Sequence, residues 1–586
     1  MDKFLVKKVK KKDSKRVWEI RNQPISRKYS NNPEEIPYEK HVPWFAKKYF
    51  SGEDNYCFVL KNEDSLVIGY CRLDFVDKSN HYVISIALDA DFHRKGLGYY
   101  FLNQVLQQFC EEKKIFAEIQ KNNFSSIKLF QNNKFKIYKE DKKNYYLKYL
   151  PEQNMKKEKL AILGGKPILS KPFSLYNSLG AEEKKAVARV MDKKIISDFI
   201  GRAGDKFLGG EYVKKFEKDF CRKFGVKYAV SFSSASTALQ AAVAALGIGP
   251  GDEVITSPFT MSATASAILF NNAIPVFADI DPENYCLDVE SIKKKITKRT
   301  KAILTVNIFG GSSDFSKIIP LAKKHNLKII EDNAQSMGAK YEEKYLGTIG
   351  DIGVFSFNVH KHLQCGEGGV LITNDEKLVF RAQLVRNHGE VIVDDLSGEG
   401  IQESIIGSNY RLSELHAAVA IEQLKKINKL NNPRVNLAKY LTSQLKKFSW
   451  LAPCKILENS THTFYVYPIK FFAGKIGIKR ETFTKAMAAE GFVLGQGYLK
   501  PLYLMPIYQK REIYPARKFP FVSEEFGTNA KYCKGDCPVA ERMFEKELLI
   551  TSICNSQRTK ADIDLFVKAI KKIEENIEEL KKYEPR

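Results

Sequence analysis

The stretch "FSFNVHKHLQCGEGGVLIT", Phe355 to Thr373, runs between two apolar segments through a lysine set between two histidines and then three glycines in four positions. A lysine in a glycine-rich loop at the end of a buried strand is either tucked against carboxylates as structure or is an amine held for carbonyl chemistry. Taken by itself, the position favours structure. Outward from it, the runs "EVITSP", "IPVFADI", "AILTVNIFG", "LKIIED", "DIGVFSF" and "GGVLIT" alternate with helical patterns. Short apolar, β-rich runs of this kind predict parallel strands buried on both faces, an α/β arrangement.

Two further segments bear on Lys361. In "IIEDNAQSMGA", Asp332 closes a predicted buried strand and Gln335 follows three residues later. In "SFSSASTALQAAVAAL", a strand leads through small residues into a helix, so the backbone N–H groups of Ala235 and Ser236 and the Ser236 hydroxyl can cradle a phosphate at the helix N-terminus. Ser356, five residues before Lys361, is a further donor. Pyridoxal phosphate chemistry needs a Schiff-base lysine, a carboxylate on the pyridinium nitrogen and donors for the phosphate, and all three have candidates here.

With "GGEYVKKFEKDF", "GPGDEVITSPFT", "PVFADID", "VRNHG" and "GSNYRLSELHAA" added, the chain from "LAILGGKP" onward resembles the DegT/DnrJ family of pyridoxal-phosphate sugar aminotransferases. The resemblance implies a type I aminotransferase fold, with a large α/β/α domain over 159–425 and a smaller α/β subdomain over 426–586. It implies that Lys361 carries the cofactor and moves protons between amino donor and sugar carbon. Asp332 would pair with the pyridine nitrogen, and Gln335 would lie near the ring oxygen. Met261 stands where the family often stacks an aromatic on the ring, and Asn409 would reach the phosphate held by a neighbouring subunit, making the working unit a homodimer. The substrates implied are a nucleotide-linked keto-sugar and glutamate. A branch of the family replaces this lysine by histidine and removes a hydroxyl; with Lys361 present, transamination is expected. His360 and His362 then read as packing or phosphate-side groups, and Cys365 as structural.

Residues 1–150 carry strand-like runs, "NYCFVL", "LVIGYCRLDF" and "YVISIALDADF", followed by the helix-like "GLGYYFLNQVLQQFCEEKK". The turn from His93 through Arg94, Lys95, Gly96 and Leu97 to Gly98 can aim successive N–H groups at a pyrophosphate or can be a tight strand-to-helix connection. This segment, with "NNFSSIKLFQNNKF", resembles the GNAT superfamily of N-acetyltransferases, which implies a mixed-sheet domain using acetyl-coenzyme A. By that resemblance Asn123 and Ser126 lie along the coenzyme A arm. Phe130 stands where many members have a tyrosine that protonates the leaving thiolate, with Tyr138 as a substitute. "VWEIRNQPISRKYS" and "HVPWF" look more narrowly like acetyltransferases acting on nucleotide-linked amino sugars, with Arg21, Asn22 and His41 lining the acceptor side and His41 accepting a proton through water. A surface or core histidine is the competing reading.

The full chain has 586 residues, too many for one core, and "PEQNMKKEK" places a linker at 151–158. Ten cysteines lack the spacing of a disulfide framework or a zinc site, so a reducing cytoplasm and no metal are expected. The net charge of +25 is interspersed with acidic residues along the chain, which favours a basic surface that steers anionic metabolites over a nucleic-acid groove. No secretory h-region and no membrane span is read. The expected function is a bifunctional enzyme of surface-polysaccharide synthesis, aminating a nucleotide-linked keto-sugar and then N-acetylating the new amine. The alternatives are transamination with a degenerate first domain, and a basic DNA-binding regulator that keeps a cofactor fold.

Overall fold

The computed structural model describes residues 4–583 except 31, 53, 78–79, 94, 110–113, 151–157 and 397–402. Arg94 and residues 151–157 of the expected linker therefore lie outside the described residues. The chain forms two compact units, Met1–Lys156 and Lys157–Arg586.

The first unit is built on seven strands, β1 (Leu5–Lys8), β2 (Tyr56–Lys61), β3 (Val67–Val76), β4 (His81–Leu88), β5 (Lys114–Gln120), β6 (Phe135–Glu140) and β7 (Asn144–Tyr149), in the order β1-β2-β3-β4-β5-β7-β6. Alternation along β3 and β4 gives the sheet two apolar faces. On one, Leu97, Phe101, Leu102 and Val105 of the helix Leu97–Gln108 pack on Phe58, Leu60, Cys71, Leu73, Tyr82 and Ile84. On the other, Val17, Ile20, Phe45 and Tyr49 from the helices Ser14–Asn22 and Tyr38–Phe50 cover Cys57, Val59 and Tyr70. All neighbours are antiparallel except β4 and β5, which pair in parallel over His81–Val83 and Lys114–Phe116. Past that register the two strands are no longer joined, so a wedge opens at the end from which the His93–Gly98 turn departs.

The second unit centres on β8 (Tyr228–Phe232), β9 (Glu253–Thr256), β10 (Ile274–Phe277), β11 (Thr300–Val306), β12 (Lys328–Asp332), β15 (Ile352–Ser356) and β16 (Gly369–Thr373), with a short hairpin β13 (Lys340–Tyr341) and β14 (Lys344–Tyr345) between. The order β10-β9-β11-β12-β15-β16-β8 is parallel from β10 to β15, and β16 runs antiparallel to both neighbours. Every residue of β15 and β16 is buried, as strands covered by helices on both faces require. The mixed sheet of the first unit and the mainly parallel one of the second are the α/β classes expected from the sequence. A separate four-stranded sheet, Leu451–Pro453, Tyr467–Phe471, Leu548–Thr551 and Gly495–Gln496, packs against the long helices Ile427–Leu445 and Lys560–Glu575.

One buried carboxylate organises the turn that feeds β15. Glu331 Oε1 accepts from the N–H groups of Ile349 and Gly350, both at 2.8 Å, and Oε2 from Gly347 N–H at 2.7 Å. Gly347, at φ 93°, lies so close to β15 that a Cβ on Gly353 would meet its carbonyl oxygen at 2.1 Å. Glu331→Gln replaces one acceptor oxygen by a donor and leaves a buried N–H unmatched, so it should lower the unfolding free energy of the second unit by about 2 kcal/mol. Urea unfolding of the two proteins at neutral pH checks this; equal midpoints would contradict it.

Candidate active site

The carboxyl ends of β8, β12 and β15 lie at one edge of the second unit's sheet, where open α/β folds bind ligands. Asp332 is the last residue of β12 and stands opposite Val354 of β15. Its Oδ1 accepts from Ala334 N–H at 3.1 Å and its Oδ2 from the Thr264 hydroxyl at 2.8 Å, and Thr264 Oγ1 is 3.0 Å from Thr260 Oγ1. Burial pushes the Asp332 carboxyl up, and these two donors together with the Lys361 charge act in the opposite direction.

Lys361 sits in the turn after β15, its N–H donating to Asn358 O at 2.9 Å. Its ammonium lies over the Tyr465 ring, 4.5 Å from the centroid. Burial brings the amine down to about 8 against the attraction of Asp332, so a substantial fraction is neutral and nucleophilic near physiological pH. That is the difference from an ordinary solvated lysine.

The residues expected on the phosphate side converge through a glycine. Gly369 pairs with Ser356 on one side and Phe232 on the other, and a Cβ there would meet Ala235 N and Ser234 O at 2.5 Å. Its lack of a side chain lets β16 lie against the first turn of the helix Ala235–Ala245. Ser234 caps that helix, taking the Thr237 N–H at 3.2 Å. Ala235 N–H and Ser236 N–H make no hydrogen bond among the described residues, so two donors and a helix N-terminus point at the space beside Ser356. Ser356 Oγ accepts from Asn358 N–H at 3.3 Å.

The remaining expected residues are placed as follows. Gln335 is buried, with Oε1 accepting from Phe309 N–H at 2.9 Å and Nε2 donating to Tyr498 Oη at 3.0 Å, so its amide fixes the left-handed Phe309 (φ 58°) and Tyr498. Met261 is half exposed at the start of the helix Ser262–Phe270. Asn409 is exposed, next to Tyr410, whose carbonyl accepts from Ser233 N–H at 2.8 Å. His360 is exposed, whereas His362 is buried, with Nε2 against Thr463 O at 3.3 Å and burial holding its pKa well below the ordinary value. Cys365 is buried and burial pushes its thiol far up, in keeping with a structural role.

In the first unit, Gly96 is left-handed (φ 74°) and starts the helix Leu97–Gln108. His93 Nε2 lies 3.1 Å from Leu88 O, and Lys95 Nζ lies over the Phe92 ring at 5.0 Å. Leu97 belongs to the core, and a Cβ on Gly98 would contact Leu129 and Leu88 at 3.5 and 3.6 Å, facing apolar packing. Asn123 Oδ1 caps the helix Phe124–Asn132 by accepting from Ser126 N–H at 3.2 Å, which explains their spacing locally. Phe130 is buried edge-on to Phe135 at 4.9 Å. Tyr138 is exposed and packs on Phe116, the last β5 residue paired with β4, which puts it beside the apex of the wedge.

Two of the three expected acceptor residues have structural employment. Asn22 clamps Ile36 with both ends of its amide, accepting from its N–H at 3.1 Å and donating to its carbonyl at 2.9 Å. His41 is buried against Phe45 with Nε2 on Ser14 O at 3.2 Å, and burial lowers its pKa, so the core reading of this histidine is the one its surroundings favour. Arg21 differs. Nη2 donates to Ser30 Oγ and Asn32 O, while Nη1 is buried with no partner among the described residues. Burial, reinforced by the charges of Arg72 and Arg27, holds the Arg21 pKa below its ordinary value, and Arg27 Nε is likewise unmatched among the described residues. Arg72 in the first unit and Thr264, Tyr465 and Tyr498 in the second carry no motif in the sequence, and Arg27, though inside "VWEIRNQPISRKYS", is not marked out by it; within each unit it is the fold that places them. Among the described residues no cluster of His, Cys, Asp and Glu could hold a metal ion, and no helix is long and apolar enough to cross a membrane.

Comparison with known proteins agrees with this geometry. Residues 17–135 match the acetyltransferase (GNAT) family, and residues 191–553 match the DegT/DnrJ/EryC1/StrS aminotransferase family. L-glutamine:scyllo-inosose aminotransferase of Streptomyces griseus is 30% identical over 437 residues, covering 72% of this chain and 99% of that one. GDP-perosamine synthase of Caulobacter vibrioides is 32% identical over 337 residues, 56% of this chain and 85% of that one. Among solved structures, Helicobacter pylori PseC, an aminotransferase involved in pseudoaminic acid biosynthesis, superposes with a TM-score of 0.57 at 26% identity, covering 69% of this chain and all of that one. The chain thus belongs to the DegT/DnrJ/EryC1/StrS aminotransferase family and carries a GNAT acetyltransferase domain ahead of it.

Proposed function

We propose that the chain aminates a nucleotide-linked keto-sugar in its second unit and N-acetylates the resulting amine in its first. The observation that carries the first half is the desolvated Lys361 beside buried Asp332, at the sheet edge where the helix Ala235–Ala245 begins. Pyridoxal phosphate, when bound, supplies the electron sink and carries the amino group between the two substrates. The residues present suit it. Ala235, Ser236 and Ser356 would hold the phosphate, Asp332 would keep a proton on the pyridine nitrogen, and Gln335 would steady the side that faces Tyr498. Lys361 would hold the cofactor at rest and then shuttle the proton, taking it from the donor's α-carbon and returning one to the product. Glutamate is the donor assigned here; the glutamine in one relative's name makes that amino acid the first rival.

A shared active site also suits the second unit's surface. Leu175 is 94% exposed and Ile406 88%, with Ile195, Ile196 and Ile200 also exposed, an apolar set that a second copy would cover. In a homodimer, Asn409 would reach the neighbouring site.

For the first unit, the support is the wedge between β4 and β5 together with Arg21 and Arg27, each with a guanidinium nitrogen unmatched among the described residues, whereas Arg72 is held by Ser85 and Asp74. Unmatched guanidinium nitrogens suit an acceptor that carries phosphates, and acetyl-coenzyme A would enter along the wedge from the His93–Gly98 turn. The amine attacks the thioester carbonyl, the C–S bond breaks as C–N forms, the nitrogen sheds a proton to water and the thiolate takes one, for which Tyr138, an exposed phenol packed on Phe116, is the candidate donor. The aminotransferase's product is the primary amine this reaction consumes. Phe130 in place of a tyrosine supports the rival reading, a first unit that binds without catalysing.

Two outcomes follow. Full-length protein stripped of cofactor should capture pyridoxal phosphate covalently at a rate that rises about tenfold per pH unit below 8 and levels off above it, because the neutral amine is the nucleophile. Stopped-flow absorbance reads the rate, and Lys361→Ala should show no covalent capture; capture by that variant would place the site elsewhere. Residues 156–586 alone should convert the keto-sugar to the free amine, and adding residues 1–154 in trans should restore acetylation at high concentration of the added piece. Chromatography of both products decides it: acetylation by 156–586 unaided, or none by the mixture, would rule out this division of labour.

A further inference from the structure

We infer that Tyr465 is a positioning residue for Lys361, its ring face holding the lysine's amino group in the part of the cycle when that group is bound to nothing else. The inference rests on the reading of Lys361 as the cofactor-bearing lysine. Three observations lead to it. Lys361 Nζ lies 4.5 Å from the Tyr465 ring centroid and makes no hydrogen bond among the described residues, so the ring face, together with the charge of Asp332, is what attracts it. On its own turn the buried His362 packs at 5.9 Å from the same ring, fixing that side. Behind the ring, the backbone of Tyr465 is pinned by a buried cation, since Arg434 Nη1 donates to the carbonyls of Phe464, Tyr465 and Cys554 at 3.2–3.3 Å.

Arg434 is notable because it has no carboxylate partner among the described residues, its Nε is unmatched, and its other close contact is the Tyr176 ring at 5.5 Å. A buried arginine held by carbonyls alone is costly unless it fixes something. What it fixes here is the segment that presents Tyr465 to Lys361. A lysine carries long side-chain freedom, and ordering its amine between proton uptake and proton return shortens the search in each turnover. While Nζ holds the proton taken from the donor's α-carbon it is an ammonium, the form that a ring face attracts.

The groups facing that ammonium are Asp332 from β12, Tyr465, and His362, kept neutral by burial, with Arg434 behind. Burial sets the amine near 8, and the ring opposes burial by favouring the charged form. Removing the ring should therefore lower the amine's pKa further. The hydroxyl should not matter.

The test uses full-length protein in two states. With cofactor removed, acetic anhydride modification of Lys361 is followed by peptide mass spectrometry from pH 6 to 10 for wild type, Tyr465→Phe and Tyr465→Leu. With cofactor bound, deuterium washout from the α-carbon of labelled amino donor gives the proton-transfer rate. Tyr465→Phe should match wild type within about twofold in both, whereas Tyr465→Leu should titrate about half to one pH unit lower and lose about tenfold in washout. Tyr465→Met repeats the comparison should the leucine variant fail to fold. Wild-type titration and washout in the leucine variant, or a phenylalanine variant as damaged as it, would overturn the role assigned to the ring face. Borohydride reduction of holoenzyme that maps the cofactor to a lysine other than 361 would instead strike the reading on which this rests.

Discussion

An amine and a carboxylate, both withdrawn from water at the carboxyl edge of one parallel sheet, set the terms for the second unit. Lys361 loses the hydration that would keep it charged, Asp332 loses the hydration that would keep it ionised, and each partly restores the charge of the other. Neither can be placed by a loop alone. Asp332 depends on the Thr264 hydroxyl, Lys361 on the turn that follows β15, and the phosphate side on a glycine that lets β16 touch a helix start. Even the feed into β15 is tied by Glu331, one residue before Asp332, so of two adjacent carboxylates on one strand one holds the framework and the other stands at the proposed site.

The sequence is legible where a function needs residues close in the chain. Five of the six apolar runs predicted parallel strands correctly, whereas "GGVLIT" forms β16, antiparallel to both neighbours, because apolar periodicity shows burial and not strand direction; "SFSSASTAL" predicted a helix start with open N–H groups, since that depends on capping over a few residues. Side-chain commitments were not legible. Asn22 and His41 read as acceptor contacts through the resemblance of their stretches to amino-sugar acetyltransferases, yet the fold has Asn22 clamp Ile36 and His41 bury itself on Ser14 O. Arg72 lies 51 positions from Arg21 and acts on it only through the packing of helices on β3, and Tyr465 reaches Lys361 from more than a hundred residues away. No local pattern records such meetings.

The two units answer complementary chemical needs. Transamination requires an amine near its own pKa and an internal proton carrier, hence a closed, desolvated lysine. Acetyl transfer, as proposed for the first unit, requires only a neutral amine, a positioned thioester and room for a long cosubstrate, needs that an open wedge between strands suits. On the proposed division of labour, covalent linkage would keep the amine made by one unit near the unit that uses it, raising its effective concentration with no new contact.

The central claim is that one chain performs both transfers on one sugar, and isotope labelling tests it most directly. Full-length protein is supplied with a nucleotide-linked keto-sugar, nitrogen-15 amino donor and carbon-13 acetyl-coenzyme A, and the product is weighed by mass spectrometry. A single product carrying both labels is predicted. A product with nitrogen-15 and no acetyl label, across keto-sugars that are readily aminated, would contradict the account.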